Sequence, residues 1–216
     1  MRKLILFLLF IASFNIVFSQ TGPGGVGNNY GSSGQPKNIL WLVADSLGLA
    51  DDATVAGWSD ISGNSHDMPS GTANPIFKTG IINGKGVVRF TKANSEYLDF
   101  YADFNTADGV VGSTYSFFWV AARRNLDNNQ YVFGGNAITD NNNLFSGWGY
   151  PSGDDLCVNH WGNDCYATVG NYYTDNANEF GFISVVFNSA AIGTTRELFD
   201  NGTSVATSTN TNALGT

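Results

Sequence analysis

From residue 38 onward the chain is a series of short apolar, β-branched and aromatic runs separated by turns rich in Gly, Asn and Asp. Such runs predict strands at 38–44 (Asn-Ile-Leu-Trp-Leu-Val-Ala), 86–90, 114–122, 130–133 and 179–187. Two more, 195–199 and 203–207, flank Asp200-Asn201-Gly202, and an Asn-Gly pair between alternating runs is the strongest short hairpin signal. Helical periodicity is nearly absent; the stretch from Asp45 to Ala53 supports one turn at most. Many short strands with glycine- and asparagine-rich turns predict an all-β sandwich or barrel. Trp41, Trp58, Phe90, Phe117 and Trp119 fall in or beside these runs and are expected in the core.

The first residues follow a different pattern. Arg2 and Lys3 precede an apolar run from Leu4 to Phe18, and Val17 and Ser19 suit a cleavage site before Gln20. The run is shorter than the roughly 20 residues a spanning helix needs, so residues 1–19 read as a signal peptide and the mature chain as secreted, with no membrane insertion after cleavage. Residues 20–37, rich in Gly and Ser, read as a flexible leader, and residues 38–216 as one domain. Losing Arg2 and Lys3 leaves eight basic residues against 18 acidic ones, a net charge of −10. That balance argues against nucleic acid as a partner, which requires a basic patch. In an oxidising compartment Cys157 and Cys165, eight positions apart, are expected to form a local disulfide.

The segment from Trp58 to Asp67 (Trp-Ser-Asp-Ile-Ser-Gly-Asn-Ser-His-Asp) is a tight turn anchored by an aromatic ring. Asp60, Asn64 and Asp67 are oxygen-bearing groups that either bond their own turn or hold a hard cation such as Ca²⁺. Acid pairs suited to catalysis are missing: there is no Glu-x-Asp-x-Glu pattern, and Asp154 and Asp155 are adjacent, so they point to opposite sides of a strand. Neither His66 nor His160 accompanies a Gly-x-Ser-x-Gly elbow, so the chain is expected not to be an enzyme. Trp148, Tyr150 and Trp161 sit among Gly, Asn, Asp and Pro in a loop-like stretch with His160. Such aromatics either pack a long loop onto the domain or form a carbohydrate-binding surface, rings against sugar C–H faces and polar groups on hydroxyls.

Four segments in order carry a resemblance: Leu40-Trp-Leu-Val-Ala-Asp45, Trp58 to Asp67, Ile82-Asn-Gly-Lys-Gly-Val-Val-Arg-Phe90 with Glu96-Tyr-Leu98, and Leu198-Phe-Asp-Asn-Gly-Thr203. The series resembles the laminin-G-like (concanavalin A-like lectin/glucanase) modules of large secreted surface proteins of Bacteroidetes-type bacteria. The resemblance implies an antiparallel two-sheet jelly-roll sandwich and a non-catalytic binding or adhesion role at the cell surface. It also implies, in related modules, a bound Ca²⁺. The partner is then a glycan, read by Trp148, Tyr150, His160 and Trp161, or an extracellular protein against which the domain is a structural spacer. Two departures stand out. The strand that follows the hairpin in family modules is missing, so the domain is expected to be incomplete at its C-terminus, where a glycoside hydrolase would need to find its acids. The Cys157/Cys165 stretch is also no part of the motif set.

Overall fold

The computed structural model describes residues 38–69, 71, 73–99, 114–124, 127–134, 144–153, 155–169, 180–188 and 190–213. The expected signal and leader lie outside these residues, and no helix among them is long and apolar enough to cross a membrane. Among the described residues ten strands follow in order: β1 (Ile76–Ile82), β2 (Lys85–Arg89), β3 (Tyr115–Ala121), β4 (Gln130–Gly134), β5 (Leu144–Trp148), β6 (Asp155–His160), β7 (Asp164–Thr168), β8 (Gly181–Phe187), β9 (Arg196–Asp200) and β10 (Thr203–Ser208). Every pairing is antiparallel. β1 and β2 form a hairpin, and two four-stranded sheets run β10-β9-β8-β3 and β4-β5-β6-β7.

The two four-stranded sheets share one core. Side chains alternate across a strand, so Tyr115, Ile183, Val185, Phe187 and Leu198 project from one sheet towards Trp148, Leu156, Val158 and Cys165 of the other. Rings close the seam: Phe117 and Trp119 of β3 lie 4.7 and 5.8 Å from Phe133 of β4. The all-β sandwich predicted from the strand pattern is the observed architecture. The Asn201-Gly202 turn joins β9 to β10 with φ of 48° and 80°, as a two-residue hairpin with two left-handed positions requires.

Residues 38–99 carry a smaller core of Val55, Phe77 and Leu98, with Trp58, Met68 and Val88 packed on it. Asn83-Gly84 turns β1 into β2, again with both φ positive. The glycine after this turn has a packing cause: a Cβ on Gly86 would sit 2.2 Å from Cζ of Phe77. Phe90, expected inside, is 43% exposed just beyond the end of β2.

The stretch 38–44 is not the strand its apolar run predicts. Residues 38–43 have no regular structure, and Ala44–Leu47 forms a single 3-10 turn where one helical turn was expected. Side chains of the Trp58–Asp67 turn take up its backbone groups in place of a neighbouring strand. Asp60 Oδ1 accepts from Trp41 N–H at 2.9 Å, and Asn64 Nδ2 donates to Asn38 O at 2.7 Å and Ile39 O at 3.1 Å. Ser62 Oγ donates to Ile39 O at 3.2 Å.

Candidate functional site

The region read from sequence as an aromatic loop, 141–165, holds strands β5 and β6 and the start of β7. Its polar residues hid the strand period: in β6, Asp155, Cys157 and Asn159 alternate with Leu156, Val158 and His160, and all six are buried. Register assigns each side chain to a face, because directly opposed residues of an antiparallel pair point the same way. Trp148 lies opposite Leu156, and Ser146 opposite Val158, on the face turned to the core. Phe145 lies opposite Asn159, which lies opposite Asp164, and Cys157 lies opposite Tyr166; these side chains occupy the outer face of the sheet. Tyr131 of β4 lies opposite Gly147 and joins them. Gly147 lets β4 close in: with φ at 153°, a Cβ there would meet Gln130 O at 2.4 Å and Tyr131 Cα at 2.6 Å.

The four expected sugar-binding residues are therefore split. Trp148 is only 3% exposed and belongs to the core. His160 is fully buried on the inner side, where its Nε2 and the Tyr115 hydroxyl share a hydrogen bond and its Nδ1 lies 2.9 Å from an Arg196 nitrogen and 3.0 Å from Asn212 O. Burial, then the nearby guanidinium, bring the His160 pKa down to about 4. Both residues alternate with outward-facing neighbours, which is why a loop reading placed them wrongly on the surface.

Tyr150 and Trp161 do reach the outer face. Their rings pack on Phe145 at 5.7 and 6.1 Å, and Tyr131 packs on it at 4.8 Å. Phe145 is buried beneath them, whereas Tyr131, Trp161 and Tyr166 are 39, 37 and 49% exposed. Tyr131, Phe145, Asp164 and Tyr166 were missed from sequence; the alternation of Asp164, Tyr166 and Thr168 with Cys165 and Ala167 was the signal that could have found Asp164 and Tyr166.

Polar groups lie among these rings. Asp164 Oδ2 accepts from the Tyr150 hydroxyl at 3.0 Å, while Asp164 Oδ1 is buried and no donor among the described residues reaches it. The Tyr131 hydroxyl donates to Asn129 Oδ1 at 2.9 Å. Burial pushes the Tyr131 phenol up to about 12, and the bond to Asp164 raises that of Tyr150. Asp155, on the same face, is committed to structure: its oxygens accept from Thr168 Oγ1 at 2.6 Å and from Ser152 N–H and Oγ at 3.1 and 3.0 Å. The arrangement can cover an apolar face and offer hydrogen-bond acceptors beside it.

Cys157 and Cys165 are free thiols, and the expected staple is not formed. Cys157 faces outward opposite Tyr166, and Cys165 faces inward opposite Val158, so the two sulfurs leave the sheet on opposite sides. The loop that the disulfide was expected to close is the turn of the β6–β7 hairpin. Burial raises both thiols, Cys157 to about 12.

The expected cation ligands are placed apart from the aromatic face. Asp60 Oδ1 accepts from Trp41 N–H and, at 2.8 Å, Ser62 N–H; Oδ2 accepts from Ser62 Oγ at 2.7 Å and His66 N–H at 3.1 Å. Burial would push this carboxyl up, but these donors outweigh it and hold it below the usual range. Asp67 Oδ1 accepts from Asp60 N–H at 2.8 Å. A cation here would have to displace these donors. Among the described residues, no group of three or more His, Cys, Asp or Glu side chains is arranged to hold a metal.

No family model matches the chain, and neither a curated protein nor a solved structure shows significant similarity to it.

Proposed function

We propose that this chain is a secreted, non-catalytic module of the laminin-G-like jelly-roll type, and that it binds carbohydrate on the outer face of the β4–β7 sheet. The observation that carries this reading is the pair of partly exposed rings, Tyr131 and Trp161, packed on buried Phe145, with Tyr166 exposed on the same sheet face and the Asp164 carboxylate beside Tyr150. Flat rings cover the C–H face of a sugar, and carboxylate and phenol oxygens take its hydroxyls. Export is supported by the charged and apolar pattern of residues 1–19. Retention of the full chain on immobilised polysaccharides tests the reading. Trp161→Ala should weaken retention on a bound glycan about tenfold, the loss of roughly 1.4 kcal/mol of stacking and burial. No retention on any polysaccharide, or retention indifferent to Trp161→Ala, would overturn it.

A second reading, a protein-contacting spacer in a surface adhesin, is favoured by the opposite side of the molecule. There Phe118, Val120, Phe182 and Val186 are 64, 55, 45 and 37% exposed, and the Phe118 and Phe182 rings stack at 6.2 Å. Contiguous exposed apolar surface of this kind marks protein contacts.

A further inference from the structure

Basic residues are distributed very unevenly along this chain. Between Arg124 and Arg196 there is no Lys or Arg at all, whereas seven Asp and Glu fall in the same stretch. That stretch contains β4, β5, β6 and β7, so the whole aromatic face is built from segments without a permanent positive charge. The cations nearest to it in the fold are turned to other work. Arg123 donates to Gly153 O at 2.6 Å, Asp127 O at 3.0 Å and Gln130 Oε1 at 3.1 Å. Arg196 is fully buried on the inner side, bonded to Asn163 O with its guanidinium 5.4 Å from the Phe187 ring.

A sulfated or uronate-bearing chain laid across this face would therefore meet carboxylates and π-faces; the exposed ammonium at its edge, Lys92, already donates to Asn128 O at 2.8 Å and lies 3.9 Å from Asp127. Both contacts repel: like charges directly, and the negative face of each ring through its quadrupole. A hydroxyl-bearing chain meets the reverse. Asp164 is partly exposed: its Oδ1 lies beneath the surface without a donor, and its Oδ2, which accepts from the Tyr150 hydroxyl, has lone-pair capacity for a second donor carried by a ligand.

We propose that the outer face of the β4–β7 sheet selects glycans free of carboxylate and sulfate groups, and that Asp164 is the residue that reads their hydroxyls. This inference rests on the glycan-binding reading and adds the class of sugar and the residue that discriminates. Asp164 Oδ2 accepts the sugar hydroxyl beside that of Tyr150, which holds the carboxylate in place, and the scarcity of basic residues disfavours polyanions.

The test uses the full chain and paired probes of one backbone. Neutral polysaccharides (a β-1,3-glucan, a β-1,4-xylan, hydroxyethylcellulose and dextran) are set against carboxymethylated or sulfated forms of the same polymers. Expected are retention of at least one neutral polymer and at least tenfold weaker retention of its anionic form in about 50 mM salt. The gap should narrow at about 0.5 M salt, where the Debye length falls to roughly 4 Å. Neutral retention itself should be insensitive to salt. Asp164→Asn should weaken neutral binding about fivefold or more while narrowing the neutral-to-anionic gap, with an unchanged melting curve as its folding control. The wild-type comparison and its salt dependence stand without any variant. Anionic forms bound as well as or better than neutral ones would overturn the selection while leaving the glycan reading in place. Neutral binding unchanged in a folded Asp164→Asn would overturn the role of Asp164. Retention of neither kind of polymer would overturn the glycan reading, and this inference with it.

Discussion

Acidification should destabilise this protein through one buried ring. His160 sits between the two sheets with no solvent exposure, its Nε2 bonded to the Tyr115 hydroxyl of β3 and its Nδ1 facing both Arg196 of β9 and the carbonyl of Asn212. A neutral ring carries one N–H; a second proton would satisfy the Asn212 carbonyl but oppose the guanidinium, in a place where no water can solvate the new charge. The Phe187 ring lies 4.9 Å away and brings no charge to the site. The folded-state pKa is about 4, against 6.5 for the ordinary side chain. Because the folded value is the lower one, the unfolded chain binds the proton more tightly. The stability contributed by the neutral ring is full above pH 6.5 and is lost as the pH falls towards 4. A difference of 2.5 pH units corresponds to about 3 kcal/mol, a sizeable part of the 5–15 kcal/mol typical of a domain. Urea unfolding midpoints at half-unit steps from pH 7.5 to 4, for the wild type and His160→Gln, isolate the term from carboxylate titrations common to both. The wild type should lose about 3 kcal/mol relative to the variant across that window, with little change above pH 7. A parallel pair of curves would refute the reasoning. So would a His160 ring that titrates near 6.5 by NMR in the folded wild type, a measurement that stands even if the variant folds poorly.

Other expectations follow from packing and hydrogen bonding. Gly86→Ala would drive a methyl into the Phe77 ring and should cost about 1–3 kcal/mol in chemical denaturation; an unchanged midpoint would mean the ring moves aside freely. Asp60→Ala removes the acceptor of four hydrogen bonds, three that close the Trp58–Asp67 turn on itself and one, from Trp41 N–H, that ties it to residues 38–43. It should lower stability by about 2–4 kcal/mol, and EDTA should leave the wild-type melting temperature where it is. A drop on chelation would restore the cation reading of that turn. Titration with a thiol reagent should find two free thiols per denatured chain and slow reaction of the native one at pH 8, where the buried Cys157 thiol, raised to about 12, is protonated.

The parts of the fold legible in sequence were those whose local chemistry and tertiary role agree. Asn201-Gly202 announces its hairpin because two left-handed positions are needed and those residues supply them. β3 and β8 are apolar enough to be recognised in isolation, and both are strands. The aromatic face was harder, because β6 is buried on both sides although three of its six residues are Asp, Asn and His. Those side chains are satisfied by partners distant in sequence, such as Thr168 for Asp155 and Arg196 for His160, so local polarity misleads. The run at 38–44 failed in the opposite sense: its apolar side chains suggested a strand, but Asp60, Ser62 and Asn64 claim its backbone first. Of the four residues expected on the surface, Tyr150 and Trp161 do lie on the outer face, aromatics in a turn being easy to pick out, whereas the place of Asp164 was visible only once Tyr150 was beside it.

The opposite facing of Cys157 and Cys165 sets an order of events for folding under oxidising conditions. Shifting the β6–β7 pairing by a single residue would bring Cys157 directly across from Cys165, where the Cβ atoms of a non-hydrogen-bonded pair come to about 4.5 Å, the upper end of disulfide geometry. The same slip would turn every β7 side chain over, sending Tyr166 towards the core and Cys165 out of it. An oxidant that reaches the hairpin before its register is fixed can therefore lock in the wrong strand alignment, whereas the finished sandwich holds the sulfurs on opposite sides and keeps them reduced. If the chain is exported as proposed, oxidation competes with its folding, and refolding should give more native protein in a reducing buffer than in an oxidising one.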